Sequence, residues 1–300
     1  MNAQTQQPFV NQIIAGDCLS IAKTLPTESV QCIVTSPPYF GHREYIKDRT
    51  DLRNDEIGRE KSPLNYVGRL VTLFGELRRV LKDSGTIWLN LGDTYRDNQL
   101  LGIPWRVAFA LQDDGWLLRS EIIWEKPNAM PSSVKNRPTT SHETIFLFAK
   151  KMLYTYYADA IREAHVTFSE QSKMKGGRNH FGKAEGTPEQ GKNQGNANLH
   201  RGRWDQAFHP LGRNKRTVWS IPLGKFREAH FAVFPPDLVE LCIRAGTKET
   251  DIVLDPFMGS GTTAVVARSL KRDFVGIELN PEYVAMAQRR LETVPSPLFA

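Results

Sequence analysis

Residues 30–35, Val-Gln-Cys-Ile-Val-Thr, form a nearly unbroken apolar run, the pattern of a strand covered on both faces. Tyr66, Leu70, Leu73, Leu77 and Leu81 then recur at three- and four-residue spacing, which predicts a helix. Ser62 and Pro63 mark its start as N-cap and first-turn proline, and Gly85 stands near its stop. Further strands are predicted over residues 12–15, 86–91, 116–125 and 144–149, with a helix over 104–112. This alternation argues for an α/β layered sheet, with the 116–125 and 144–149 pair near its edge.

The periodicity fades between about residues 164 and 216. From 171 to 216 there are ten basic residues (Lys173, Lys175, Arg178, Lys183, Lys192, Arg201, Arg203, Arg213, Lys215 and Arg216), opposed only by Glu185, Glu189 and Asp205, with glycines throughout. Two readings stay open: a solvated, partly disordered insertion, or a DNA-facing segment ordered on binding, with Arg and Lys on phosphates and Asn, Gln and His at base edges. The α/β pattern resumes with helices over 235–245 and 262–270 and strands over 251–254 and 274–279. Asn280 caps a last helix, with Pro281 at its first position. The predicted organisation is a first catalytic part over 1–163, an inserted basic region over 164–216, and a second catalytic part over 217–300.

The segment Asp255-Pro256-Phe257-Met258-Gly259-Ser260-Gly261-Thr262-Thr263 falls between a predicted strand and helix. Its glycines let a backbone approach a ligand, and the helix start offers free N–H groups. No lysine follows Gly261, so it is not a nucleotide P-loop, and a GxGxxG dinucleotide turn is incomplete. Glu278, at the end of the next strand, is placed to hold both hydroxyls of a ribose. S-adenosylmethionine, a nucleoside without phosphate, fits this combination. A second candidate, Ser36-Pro37-Pro38-Tyr39, lies just past the 30–35 strand, at the edge where open α/β sheets place ligands. The Ser36 hydroxyl and the Pro37 carbonyl are candidate acceptors for the two hydrogens of an exocyclic base amine, with Tyr39 stacked on the base. A proline-stiffened turn with a surface tyrosine is the plainer alternative.

Composition narrows the class. The chain has 300 residues, 40% hydrophobic and 24% charged, an ordinary globular balance. A net charge of +6 and a pI near 9.2 suit a polyanionic partner. Cys18, Cys32 and Cys242 are too few and too far apart for a disulfide framework or a CxxC metal site, and read as buried hydrophobes in a reducing compartment. The seven histidines form no HxxxH pair, so no metal is expected. No signal peptide and no membrane span is legible, so the expected location is cytoplasmic. His42, Arg43 and Tyr45 are candidates to fill the gap left by a flipped base or to touch phosphates, and a solvated loop explains them equally. Trp219, Ile221, Pro222, Phe231 and Phe234 are read as core.

At these residues the chain resembles the DNA amino-methyltransferases, which modify cytosine N4 or adenine N6. Ser36 to Tyr39 matches their catalytic motif, Asp255 to Thr263 their cofactor motif, and residues 274–280 the following acidic strand. Gly16-Asp17-Cys18 resembles the segment touching the cofactor adenine. Trp124 to Asn128, Arg137-Pro138 and Ser141-His142-Glu143 also resemble family segments. The order, catalytic motif first, resembles the circularly permuted β group, with the insertion as target-recognition domain. The resemblance implies a Rossmann-like fold with a seven-stranded mixed sheet and one antiparallel edge strand. It implies catalytic Ser36, Pro37, Pro38 and Tyr39. It implies S-adenosylmethionine held by Asp17, Cys18, Asp255, Pro256, Phe257, Gly259, Ser260, Gly261, Thr262, Glu278 and Asn280. Duplex DNA is the implied partner, and a homodimer and a companion restriction endonuclease accord with the group. Serine at position 36 favours cytosine N4, with adenine N6 the alternative. Cytosine C5 chemistry is disfavoured, since the chain has no Pro-Cys dipeptide. A protein glutamine methyltransferase and a silent DNA-binding module are the more distant alternatives.

Overall fold

The alternating pattern resolves, in a computed structural model, into one eight-stranded mixed sheet with two series of helices packed on it. The structure describes residues 9–42, 52, 55–164, 211–224 and 234–294. The sheet contains β1 (Gln12–Ala15), β2 (Val30–Thr35), β3 (Leu81–Leu91), β6 (Leu117–Glu125), β7 (His142–Ala149), β8 (Val218–Ser220), β9 (Ile252–Asp255) and β10 (Asp273–Glu278). Its order is β1-β10-β9-β2-β3-β7-β6-β8. A separate hairpin is formed by β4 (Tyr95–Arg96) and β5 (Gln99–Leu100). The strands from β1 to β3 pair in parallel, and β7 runs antiparallel to both β3 and β6.

Every residue of β2 is buried, because helices cover both its faces. One series is α1 (Cys18–Ala22), α2 (Pro63–Val80) and α3 (Ile103–Asp113); the other is α4 (Pro236–Gly246), α5 (Thr262–Ser269) and α6 (Pro281–Glu292). Ser62 caps α2 by accepting from the Asn65 N–H, and α2 buries Tyr66, Val67, Leu70, Leu73, Phe74, Leu77 and Val80. Each such side chain contributes about 1.5–3 kcal/mol when fully removed from water.

The α/β class agrees with the expectation, and three details differ. The sheet has eight strands rather than seven. Strand β8 adds in parallel to β6, anchored by Trp219, which packs 5.9 Å from the Trp88 ring. The Trp124 indole N–H also donates to the Ile221 carbonyl at 2.8 Å. The antiparallel strand β7, paired with β3 on one side and β6 on the other, is interior rather than at an edge. Strand β3 also begins at Leu81 rather than Thr86, because a register irregularity lets Val30 pair with Leu81 and Cys32 with Thr86.

Residues Met1–Tyr157 and Thr217–Ala300 form one compact unit, and Ala158–Arg216 a second. In the second, Glu163 bridges Arg213 through paired backbone bonds and pairs with Arg213 and Lys215. Most of the expected insertion, 165–210, lies outside the described residues. Among the described residues no helix is long and apolar enough to cross a membrane.

Candidate active site

Strands β2 and β9 are parallel neighbours, with Ile33 opposite Leu254, so the segments following them emerge side by side. The junction is tied by one buried carboxylate. Asp255 accepts from the Thr35 hydroxyl at 2.6 Å, the Thr263 hydroxyl at 2.6 Å and the Phe257 N–H at 3.0 Å. Burial pushes its carboxyl up to about 6, against the pull of these donors. Over this knot opens a cavity of about 390 Å³, lined by Ser36 to Tyr39 on one side and by Asp255 to Ser260, Thr262, Thr263, Glu278 and Asn280 on another. Segments about 220 residues apart thus share one pocket.

The turn after β9 is held from both sides. Gly259 and Gly261 have φ of 53° and 86°, and a Cβ at Gly261 would lie 2.7 Å from that of Ala287, so α6 packs where only glycine fits. Arg290, on α6, donates to the Ser260 carbonyl at 2.6 Å and to the Ser260 and Thr262 hydroxyls at 2.8 and 3.2 Å. At the end of β10, the Glu278 carboxylate accepts from the Gly259 N–H at 2.7 Å and the Asn280 N–H at 2.8 Å. Burial pushes this carboxyl up to about 7.

On the other side, the Tyr66 hydroxyl donates to the Pro38 carbonyl at 2.9 Å, whereas the Pro37 carbonyl accepts from no described residue. The Tyr39 ring packs closely on Gly92, where a Cβ would be 2.4 Å from it. The Tyr39 hydroxyl donates to Glu143 at 2.7 Å and accepts from the Ser36 hydroxyl at 3.2 Å and the Asn90 amide at 2.8 Å.

Two expected cofactor residues do not line the cavity. The Asp17 carboxylate caps α1 through the Leu19 N–H at 3.1 Å and lines only a smaller neighbouring recess; Gly261 faces α6 instead. Cys18 does line the cavity, and burial pushes its thiol up to about 12. Trp219 and Ile221 are core, but Phe234 lines the cavity. His42 lines it too, edge-on to Tyr39 with ring centres 6.0 Å apart. Arg43, Tyr45 and Phe231 lie outside the described residues. Among the described residues no group of three or more His, Cys, Asp or Glu side chains could hold a metal ion.

Residues 30–289 match the N6/N4 methyltransferases, a family described as DNA methylase. The chain belongs to that family. It is a DNA amino-methyltransferase with S-adenosylmethionine as its methyl donor. This methylase is 42% identical, over 309 aligned positions, to the type II methyltransferase M.Cfr9I of Citrobacter freundii, covering 93% of this chain and 87% of the relative. In fold it is similar to the cytosine-N4-specific PvuII DNA methyltransferase, with a TM-score of 0.66, 20% identity, and 96% and 87% of the two chains covered. It is also similar to M1.HpyAVI solved in complex with S-adenosylmethionine, with a TM-score of 0.56, 21% identity, and 93% and 98% covered.

The methylase's own residues fit the donor. A turn tightened by two positive-φ glycines, a carboxylate at the strand end and the apolar flanks of Phe257, Met258 and Tyr283 suit a nucleoside carrying hydroxyls and no phosphate. Sequence reasoning assigned no role to Asn90 and Glu143, which bond the Tyr39 hydroxyl, or to Lys126, which pairs with Glu143. The sequence signal was that residues 124–128 and 141–143 resemble family segments; the register that pairs Trp124 with Glu143, and so brings the opposite charges of Lys126 and Glu143 to one sheet edge, is visible only in the fold.

Proposed function

We propose that this methylase moves the methyl group of S-adenosylmethionine to the N4 amine of a cytosine flipped out of duplex DNA. The observation carrying the reading is the Thr35–Asp255 hydrogen bond of 2.6 Å, which joins the catalytic and cofactor motifs at one strand edge. S-adenosylmethionine supplies a methyl group on a positively charged sulfur, which becomes a neutral thioether when the methyl passes to nitrogen. Glu278 accepts the ribose hydroxyls, and the 255–262 turn with Cys18 and Asn280 encloses the rest of the donor. Ser36 Oγ and the Pro37 carbonyl accept the two amine hydrogens, drawing the nitrogen lone pair out of the ring. Tyr39 stacks on the base, whose extraction costs a few kcal/mol, and the methylated nitrogen sheds one proton.

Serine at position 36 favours cytosine over adenine N6. The basic stretch within 164–216 supports a target-recognition role, its charges meeting phosphates. Resemblance to a type II methyltransferase supports a companion restriction endonuclease of the same sequence specificity, and a homodimer accords with the group. Incubation with methyl-labelled S-adenosylmethionine and duplex DNA, followed by nucleoside analysis, tests the reading. Label in N4-methylcytosine is expected. Label in N6-methyladenine would overturn the base assignment, and label only at carbon 5 or only in protein would overturn the reaction.

A further inference from the structure

We propose that Glu143 is a positioning residue that fixes the direction of a hydroxyl chain, Ser36 to Tyr39 to Glu143, and thereby makes Ser36 an acceptor for the target amine. The chain has three oxygens, with Ser36 Oγ to Tyr39 Oη at 3.2 Å and Tyr39 Oη to Glu143 Oε2 at 2.7 Å. Its members come from separate strands. Ser36 follows β2, Glu143 is the second residue of β7, and the antiparallel run of β7 brings its start to the edge where β2 and β3 end.

An ionised carboxylate can only accept hydrogen bonds, whereas a hydroxyl both donates and accepts. Glu143 therefore obliges Tyr39 to donate toward it. The Tyr39 oxygen is left to accept, and the Ser36 proton points at it. The Ser36 lone pairs then face away from Tyr39, available to amine hydrogens. Were the end of the chain a donor, Tyr39 would turn its proton to Ser36, and Ser36 would present its own proton to the amine. That orientation repels the group the site must bind.

Two further side chains keep Glu143 in place. Lys126 pairs with Oε1, both side chains largely buried at 14% and 16% exposure, and the Lys126 ammonium also lies 4.4 Å from the Trp124 ring centre. The Asn90 amide reaches Tyr39 Oη at 2.8 Å, Glu143 Oε2 at 2.9 Å and Ser36 Oγ at 3.3 Å. All three oxygens accept from this one amide, so the Ser36 and Tyr39 protons are turned onward along the chain, which reinforces the same direction.

This inference rests on Ser36 accepting from an exocyclic amine, and holds for either base; nucleoside analysis of the wild-type product reports on the base separately. The test uses Glu143→Gln, which keeps the shape but can present N–H groups to Tyr39, alongside Tyr39→Phe, which keeps the ring and removes the middle of the chain. Single-turnover methylation by Glu143→Gln is expected to slow about 100-fold, with the Kd for S-adenosylmethionine and the KM for DNA within about twofold of wild type. Tyr39→Phe is expected to slow methylation to a similar degree, and the double variant no further than the worse single one. A Glu143→Gln rate near wild type, or losses that multiply in the double variant, would overturn the proposal. If Glu143→Gln fails to fold, Tyr39→Phe alone decides, and an unchanged methylation rate in that variant overturns it.

Discussion

Asp255 and Glu278 are carboxylates that this fold desolvates and then uses differently. Asp255 spends its oxygens on Thr35, Thr263 and the Phe257 N–H, so it fastens two motifs together. Glu278 takes one N–H on each oxygen and keeps lone pairs toward the cavity. Both carboxyls are raised above their unfolded values of 3.8 and 4.5, to about 6 and about 7. The stability they contribute is therefore fully present below the unfolded values and lost as pH rises through 6 and 7. Donor binding has the opposite sign, because the ionised form of Glu278 accepts both ribose hydroxyls. Affinity for S-adenosylmethionine is expected to tighten about tenfold between pH 6 and pH 8, measured by calorimetric titration; a flat profile would remove Glu278 from the ribose site. Both motifs were legible because each is contiguous: Ser36 to Tyr39 and Asp255 to Thr263 can be read along the chain. Asn90 lies in β3, Glu143 in β7 and Lys126 just past the end of β6, and these single residues acquire meaning only when β3, β7 and β6 lie side by side.

Elements were legible where local chemistry punctuates them. Ser62 and Asn280 cap α2 and α6, and a proline follows each, so a few adjacent residues mark each start. Strand β2 could be read from its own apolar run. Strand β8 could not, because its three residues pair with β6 about 95 positions earlier and are held by Trp88 and Trp124 rather than by any pattern of their own. The close packing of α6 on the cofactor turn was equally hidden, since Ala287 and Arg290 look like ordinary helix residues. It sets a prediction at this scale. Replacing Gly261 with Ala puts a Cβ 2.7 Å from Ala287 in a left-handed conformation that itself costs roughly 1–2 kcal/mol. Thermal unfolding is expected to move down by several degrees, with S-adenosylmethionine binding weakened as α6 and the turn separate. Unchanged melting and unchanged binding would show that the turn tolerates displacement.

For the molecule as a whole, the motif order and an α/β sheet were readable, but the strand adjacency that reconciles that order was not. The catalytic segment precedes the cofactor segment by about 220 residues, and only the adjacency of β2 and β9 makes them one site. The net charge of +6 adds a field that draws DNA toward the protein without choosing a sequence. Central to this account is that the methyl donor and the extracted base meet over the Thr35–Asp255 knot. A crystal structure with duplex DNA and a non-transferable analogue of S-adenosylmethionine tests it directly. The account predicts the analogue against Glu278 and the 255–262 turn, and the target amine on Ser36 Oγ and the Pro37 carbonyl, roughly 3–3.5 Å from the transferable group. A base seated elsewhere than on Ser36 to Tyr39, with the analogue in its cradle, would contradict it.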